Sequence, residues 1–509
     1  MREFPGRIVP WACLAVLAVA GCSPPQRQIA PPVSLPGRFS AGGRSELPLH
    51  WWTAFGSERL NLLNERALRQ NFSLAAAWDR LSQAQAAATR AGAPLWPSLD
   101  GSTGARRSVT HMDTGPTAGT TYQTTLSLGL VASYEVDLWG RIRAGRKAAT
   151  LEAAASEADL RAAAITVTAE VARAWFRLIE QRQQLRLLTE QVATNEKFLE
   201  VIELRFRRGQ VSATDVLQQR ELVEQTRGQR PLVESSISIL RNQLAILTGQ
   251  APGRADLPPA DNLPALPALP RTGVPAEWVR RRPDVRAAEL RAAAQDHRVW
   301  AAVADQFPRL SLSAEASTSA EELRNLFDNW AASLAANLMA PLFDAGLRRA
   351  EIQRNRAALS ERLNTYASVV LNSLGEVENA LLSEARQEDY LNSLARQLEL
   401  SRRAAERTRE QYIKGRTDFT RYLTTLLSYQ RLERTELQAR RDLLLLRVDL
   451  YRALAGGWDL PRPQPATPAD PPADAHTPPP AADRPELAVE PTAPSGGESP
   501  TTRRTDNAR

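Results

Sequence analysis

Between residues 122 and 138 apolar and polar side chains alternate almost without a break. Tyr122, Thr124, Leu126, Leu128, Leu130, Ala132, Tyr134, Val136 and Leu138 take one parity. Gln123, Thr125, Ser127, Gly129, Ser133, Glu135 and Asp137 take the other, with Val131 the exception. A period of two over seventeen residues predicts a strand with one apolar and one polar face. It exceeds the usual strand of a globular domain and can cross a bilayer at a tilt. Weaker alternation follows at 309–316 and 329–340, and residues 97–110 are the poorest of four candidates. Each half of the chain thus predicts one β-hairpin, with polar loops near 111–120 and 318–328.

From Gly140 to Arg208 the period becomes helical: Leu160, Ala164, Val167, Val171, Ala174 and Leu178, then Leu185, Leu188 and Val192. The stretch holds no proline and is rich in good helix formers. At 1.5 Å rise per residue it predicts a helix on the order of 100 Å long. A partner helix over 213–248 runs back after a break at Gly209. The second half repeats the plan over 346–413 and 418–455, with its break at Gly415. Helices of this length with a continuous apolar stripe pack as coiled-coil-like hairpins. Alanine dominates where a closed core would use Leu and Phe, which suits helices laid side by side in a wall. Shorter helical segments are expected over 58–92 and 276–304.

The two halves are copies of one unit. Pro97 and Pro308 correspond at an offset of 211; Gly140 and Gly346, and Gly209 and Gly415, correspond at 206. Leu247-Thr248-Gly249 and Leu454-Ala455-Gly456 close the halves. The expected layout is a signal peptide over 1–21, an extended segment over 22–57, a first repeat over 58–250, a connector over 251–275, a second repeat over 276–457 and a tail over 458–509. The first repeat holds a β-hairpin at about 97–138 and a helical hairpin at about 140–249; the second holds them at about 308–342 and 346–456. Seven prolines forbid a continuous helix in the connector. Thirteen prolines and few large apolar residues over 461–509 predict disorder.

Composition excludes several classes of function. The 64 Lys and Arg against 57 Asp and Glu are spread along the helices and make no concentrated nucleic-acid patch. His50, His111, His297 and His476 lie in four different regions without metal-ligand spacing, so no metal or other cofactor is expected. No Gly-rich phosphate loop, nucleophile elbow or paired His points to an enzyme. Of the two cysteines, Cys22 ends an apolar run, Ile8–Ala20, that follows Arg2 and Arg7. Val19-Ala20-Gly21-Cys22 resembles a bacterial lipobox, which predicts cleavage before Cys22 and acylation of its thiol. Ser23 is compatible with outer-membrane sorting. No later stretch reads as a transmembrane helix, so a membrane crossing would use the strands, and strands in lipid must form a closed barrel. Four strands cannot close one wide enough for transport; several copies would have to contribute. Two hairpins in a soluble sandwich are the alternative reading of the strands alone.

Lipobox, duplicated halves, paired hairpins and long paired helices together resemble the TolC/OprM-like outer-membrane factor family over about residues 50–457. Tyr134-Glu135-Val136-Asp137-Leu138-Trp139-Gly140 and Pro341-Leu342-Phe343-Asp344-Ala345-Gly346 resemble its strand-to-helix entries. Arg282-Pro283-Asp284-Val285 is similar to its second-repeat start. Phe206 and Gly209 with Asp215-Val216-Leu217, and Tyr412 and Gly415 with Thr417-Asp418-Phe419, resemble its helix-hairpin tips.

The resemblance implies a mainly α protein with a transmembrane β part. Three copies would make a twelve-stranded β-barrel and a hollow α-barrel through the periplasm. It implies a passive conduit in the outer membrane, anchored by lipid and served by a periplasmic adaptor and an inner-membrane transporter. Phe206, Arg208, Gly209, Tyr412, Lys414 and Gly415 are the expected tip and adaptor-contact residues, the charged ones being equally readable as solvated surface. Family channels carry an acidic constriction after the second tip; here Thr424 or Ser428 stands in its place, depending on where an extra residue falls. Asp418 is the nearby carboxylate and Tyr422 a further constriction candidate. The rival reading is a periplasmic adaptor lipoprotein, which normally carries one helical hairpin and β-rich domains.

Overall fold

The computed structural model describes residues 33–115, 119–253, 257–258, 262–455, 457–458 and 460. The expected signal peptide, Cys22 and the tail from 461 onward lie outside the described residues.

In chain order the first half comprises α1 (Glu58–Gln70), α2 (Phe72–Gly92), β1 (Ser98–Met112), β2 (Gly119–Val136), α3 (Arg141–Arg207) and α4 (Ala213–Leu247). The second half comprises α5 (Pro275–Arg281), α6 (Pro283–Ala304), β3 (Arg309–Ala320), β4 (Trp330–Met339), α7 (Leu347–Ile413) and α8 (Phe419–Leu454). The long helices α3 and α7 have 67 residues each. No described helix is long and apolar enough to cross a membrane.

The segments expected as single helices over 58–92 and 276–304 are each broken, at Asn71 and Arg282. These breaks stand at the same offset of 211 as the two prolines, so the break belongs to the repeated unit. Its chemistry differs between copies. Asn71 turns extended, caps α2 by accepting the Leu74 amide at 3.0 Å, and donates to the Leu247 carbonyl at 2.9 Å. Arg282 is forced extended by Pro283, which opens α6 where a missing N–H costs nothing.

The segment expected to be extended up to residue 57 ends in a 3-10 turn, Trp51–Phe55, that supplies core. Trp51, Trp52 and Phe55 fill the space between α1, α3 and α8, with Phe55 on Phe176 and Tyr451 at ring distances of 5.0 and 5.5 Å. The core also reaches into the segment read as tail: Trp458 is buried and packs its ring 5.1 Å from that of Trp52. A second cluster joins Phe39, Trp278 of α5, Val370 and Val377 of α7 and Leu450 of α8.

The two non-helical segments strap one another. The Gly43 amide donates to the Pro270 carbonyl at 2.9 Å and the Arg271 amide to the Ser45 carbonyl at 2.8 Å. A Cβ on Gly43 would sit 1.7 Å from the Leu269 carbonyl oxygen, so only glycine allows the approach. Buried arginines tie the connector to the helices. Arg447 makes a two-pronged pair with Glu384 at 2.6 and 2.7 Å and also donates to the Pro267 carbonyl. Arg282 holds Asp284 and Glu376 and donates to the Ala453 carbonyl at 3.2 Å. Burial alone would raise the Asp284 carboxyl, but Arg282 outweighs it and holds the group below the usual carboxylate range.

Candidate functional site

The four strands form one antiparallel sheet in the order β1-β2-β3-β4. The two hairpins, far apart in sequence, are joined where β2 pairs with β3 from Leu126↔Ala320 to Val136↔Leu310. Directly opposed residues share a face, so the register assigns every side chain. One face carries Leu126, Leu128, Leu130, Leu312, Leu334 and Leu338, with alanines between them. The other carries Ser102, Ser127, Ser133, Ser313, Ser333 and Asn337. Val131, the single exception in the β2 alternation, lies on this polar face between Asp100 and Glu315 and separates two carboxylates. On the apolar face, Arg107 lies 5.7 Å over the Tyr122 ring. No residue of the four strands is buried. Leu334 is 83% exposed and Trp330 76%.

At the sheet's base the two strand-to-helix motifs work alike. Asp137 accepts the amides of Ile142 and Arg143 at 3.0 and 2.9 Å, satisfying free donors at the start of α3. Asp344 does this for Gly346 and Arg348 at the start of α7, at 3.0 and 3.3 Å. Trp139 donates to the Pro308 carbonyl at 2.7 Å and packs its ring, tilted by 30°, against Phe307, which ties the first motif to the second repeat.

At the opposite ends of α3 and α7 lie the helical tips. Gly209 and Gly415 have φ of 70° and 68°, a left-handed conformation that other residues adopt only at a cost. Each closes its helix with the same pair of bonds: Gly209 to Phe206 and Gln210 to Arg205, Gly415 to Tyr412 and Arg416 to Gln411. The return helices are capped at equivalent positions, α4 by Ser212 and α8 by Asp418, which accepts the Arg421 amide at 2.7 Å. Asp418 is therefore exposed but committed as a cap. Tyr422 is buried among Phe198, Tyr412 and Phe419, its ring 4.6 Å from Phe198. Arg205 lies over Tyr412 and donates to its carbonyl at 3.2 Å. Burial pushes the Tyr422 hydroxyl up to about 12; burial, and then Asp215, push Tyr412 up to about 12. Thr424 is exposed and Ser428 half-buried.

Known proteins share this arrangement. The family model described as outer membrane efflux protein matches residues 63–250 and 274–456, both halves of the chain. The chain belongs to the outer membrane efflux protein family. It is 34% identical over 458 residues to the pyoverdine export outer membrane protein OpmQ of Pseudomonas aeruginosa, covering 88% of this chain and 96% of OpmQ. It is 30% identical over 411 residues to the toluene efflux pump outer membrane protein TtgF of Pseudomonas putida, covering 80% and 84%. The structure of the outer-membrane channel OprN superposes with a TM-score of 0.79 at 29% identity, covering 85% of this chain and 99% of OprN. The open state of the Neisseria gonorrhoeae MtrE channel gives 0.75 at 25%, covering 86% and 98%. The protein is thus an outer-membrane channel of an efflux pump and not a periplasmic adaptor.

Within this efflux protein the expected tip residues divide. Phe206, Arg208, Gly209, Lys414 and Gly415 are exposed at the two turns. Tyr412 is not: it is 5% exposed and joins the two hairpins from inside, because its ring closes the apolar space between α3 and α8. Tyr422, expected at a constriction, is likewise core. Sequence reasoning missed Phe198, Arg205 and Arg409, which complete this cluster. The repeat offers no signal for Phe198, since Ala404 stands at the equivalent place. An aromatic ring on a long helix of Leu, Gln and Glu, close to a tip, was the available sign.

Proposed function

We propose that three copies of this chain join their sheets edge to edge into one twelve-stranded barrel, and that the conduit so formed carries small organic molecules passively across the outer membrane. The observation that carries the reading is the sheet. It has one apolar face, one polar face, two unpaired edges and no buried residue. Lipid tolerates strands only when every edge is paired. The apolar face then meets lipid and the polar face lines the water-filled pore.

Further parts of the reading follow from placement. A diacylglycerol on Cys22 anchors the chain in outer-membrane lipid. A periplasmic adaptor docks on the tips through Phe206, Arg208 and Lys414, around Gly209 and Gly415, and an inner-membrane transporter supplies the energy. The periplasmic constriction is drawn from α8 where Asp418, Thr424 and Ser428 approach their copies, with Tyr422 bracing the helix from behind. The chain makes and breaks no bonds in its cargo. The exporters named for pyoverdine and toluene among its relatives support small organic cargo.

Edge cross-linking tests the reading. Cysteines are placed on the polar face of β1 (Ser102 or Gly104) together with β4 (Ser333 or Ala335). Within one sheet these strands stand three strand spacings apart, about 14 Å, beyond disulfide reach of about 7 Å between Cα atoms. Oxidation of membranes is expected to give a ladder ending at a covalent trimer. Only monomers at every combination would refute the closed barrel.

A further inference from the structure

We propose that the periplasmic mouth of this channel prefers anionic solutes, with Arg421 and Arg431 of α8 setting the preference. The inference rests on the trimeric reading above and adds the charge class of the cargo.

From Phe419 to Leu432, α8 contains no carboxylate. Its buried side, Phe419, Tyr422, Leu426 and Gln430, faces the protein. Its exposed side presents Thr420, Arg421, Thr424, Leu427 and Arg431. Beside the same tips the other helices expose charge of both signs: α4 shows Arg220, Glu221, Glu224 and Arg227, and α7 shows Arg403, Glu406, Arg407 and Glu410. On α8 the exposed guanidinium groups have no carboxylate beside them between Phe419 and Leu432. The constriction proposed on α8 places this stripe at the opening.

The Asp418 carboxylate offsets one of the two guanidinium charges and leaves the stripe net positive. Neither Arg421 nor Arg431 makes a side-chain ion pair among the described residues. The nearby carboxylates have other partners. Asp418 caps α8, Glu399 pairs with Arg402 and Arg403, Glu410 lies 3.8 Å from Arg407, and Glu433 accepts from Gln191 at 2.9 Å. A guanidinium stays charged at any physiological pH. At physiological salt its field reaches about 8 Å, enough to cover a narrow mouth ringed by copies of the same two residues. The field attracts carboxylates and other anions and repels cations.

The test is the reversal potential of the purified full chain in planar bilayers of neutral lipid under a KCl gradient. The expected chloride-over-potassium permeability ratio is about threefold or more near 0.1 M salt, fading near 1 M as screening shortens. R421Q/R431Q should bring the ratio close to unity and R421E/R431E should invert it, each with the trimer band on unheated gels retained. A trimer whose pores show no anion preference overturns the inference alone, as does a preference that survives R421Q/R431Q. A R421Q/R431Q variant that keeps its selectivity but loses binding to a periplasmic adaptor assigns these arginines to docking instead, and also overturns it. Absence of a trimer or of any pore overturns both this inference and the reading beneath it.

Discussion

The helical body and the sheet of this channel obey different rules. Around α1, α3, α7 and α8 the chain buries Trp51, Trp175, Phe176 and Tyr451 and locks its straps with the Arg447–Glu384 pair. The sheet buries nothing, and β4 is exposed along its whole length. One region packs a core within a single copy; the other, on the barrel proposed above, takes from lipid and further copies what it lacks. Duplication serves both, since each repeat gives one helical hairpin to the body and one β-hairpin to the sheet.

Variants can break or sharpen this contrast. The largest effect is expected for Glu384→Ala, which leaves the Arg447 guanidinium buried without its partner and should cost about 3–5 kcal/mol. Denaturant unfolding followed by helical circular dichroism measures it, and a cost below about 1 kcal/mol would remove the lock from the account. Next, Leu334→Arg on the apolar face should cost about 2–4 kcal/mol near mid-membrane, while Ser333→Arg on the polar face should cost little. Trimer yield after refolding into vesicles reads both, and equal losses would deny the sheet its two faces.

A smaller effect comes from pH at the tips. Tyr422 is neutral in the fold with its value raised to about 12, above its ordinary 10. Its contribution is fully present below pH 10 and is lost as pH rises from 10 through 12, about 3 kcal/mol at most. Tyrosinate absorbance should show a late-titrating group that Tyr422→Phe removes; an unchanged titration contradicts its burial. The smallest effect is at the caps. Asp418→Ala and Ser212→Ala should each cost about 1 kcal/mol, seen as faster amide exchange in the first turn of α8 or α4 while the body and trimer persist.

Much of this was legible in the residues, for physical reasons that differ by element. The long helices were read to within a few residues because α3 and α7 carry no proline and end at glycines that must turn left-handed. Strand β2 was read directly, since it separates apolar from polar along nearly its whole length. Strand β1 has the poorest alternation of the four, yet at 15 residues it is longer than β3 at 12 and β4 at 10. Gly101 and Gly104 blur its alternation, and Arg107 stands on its apolar face; its length comes from pairing with β2, which local pattern does not record. The break at Asn71 is hidden because both flanks are good helix, whereas Pro283 marks the one at Arg282 in the sequence itself. At the tips, local sequence showed the turns, but whether Tyr412 and Tyr422 face out or in depended on Phe198, far away in the chain.

The most direct test of the account is the native mass of the protein extracted from outer membranes in mild detergent. Three copies are expected, with no stable smaller species that keeps an intact sheet. A well-folded monomer whose strands stay protected from amide exchange without partners would contradict it.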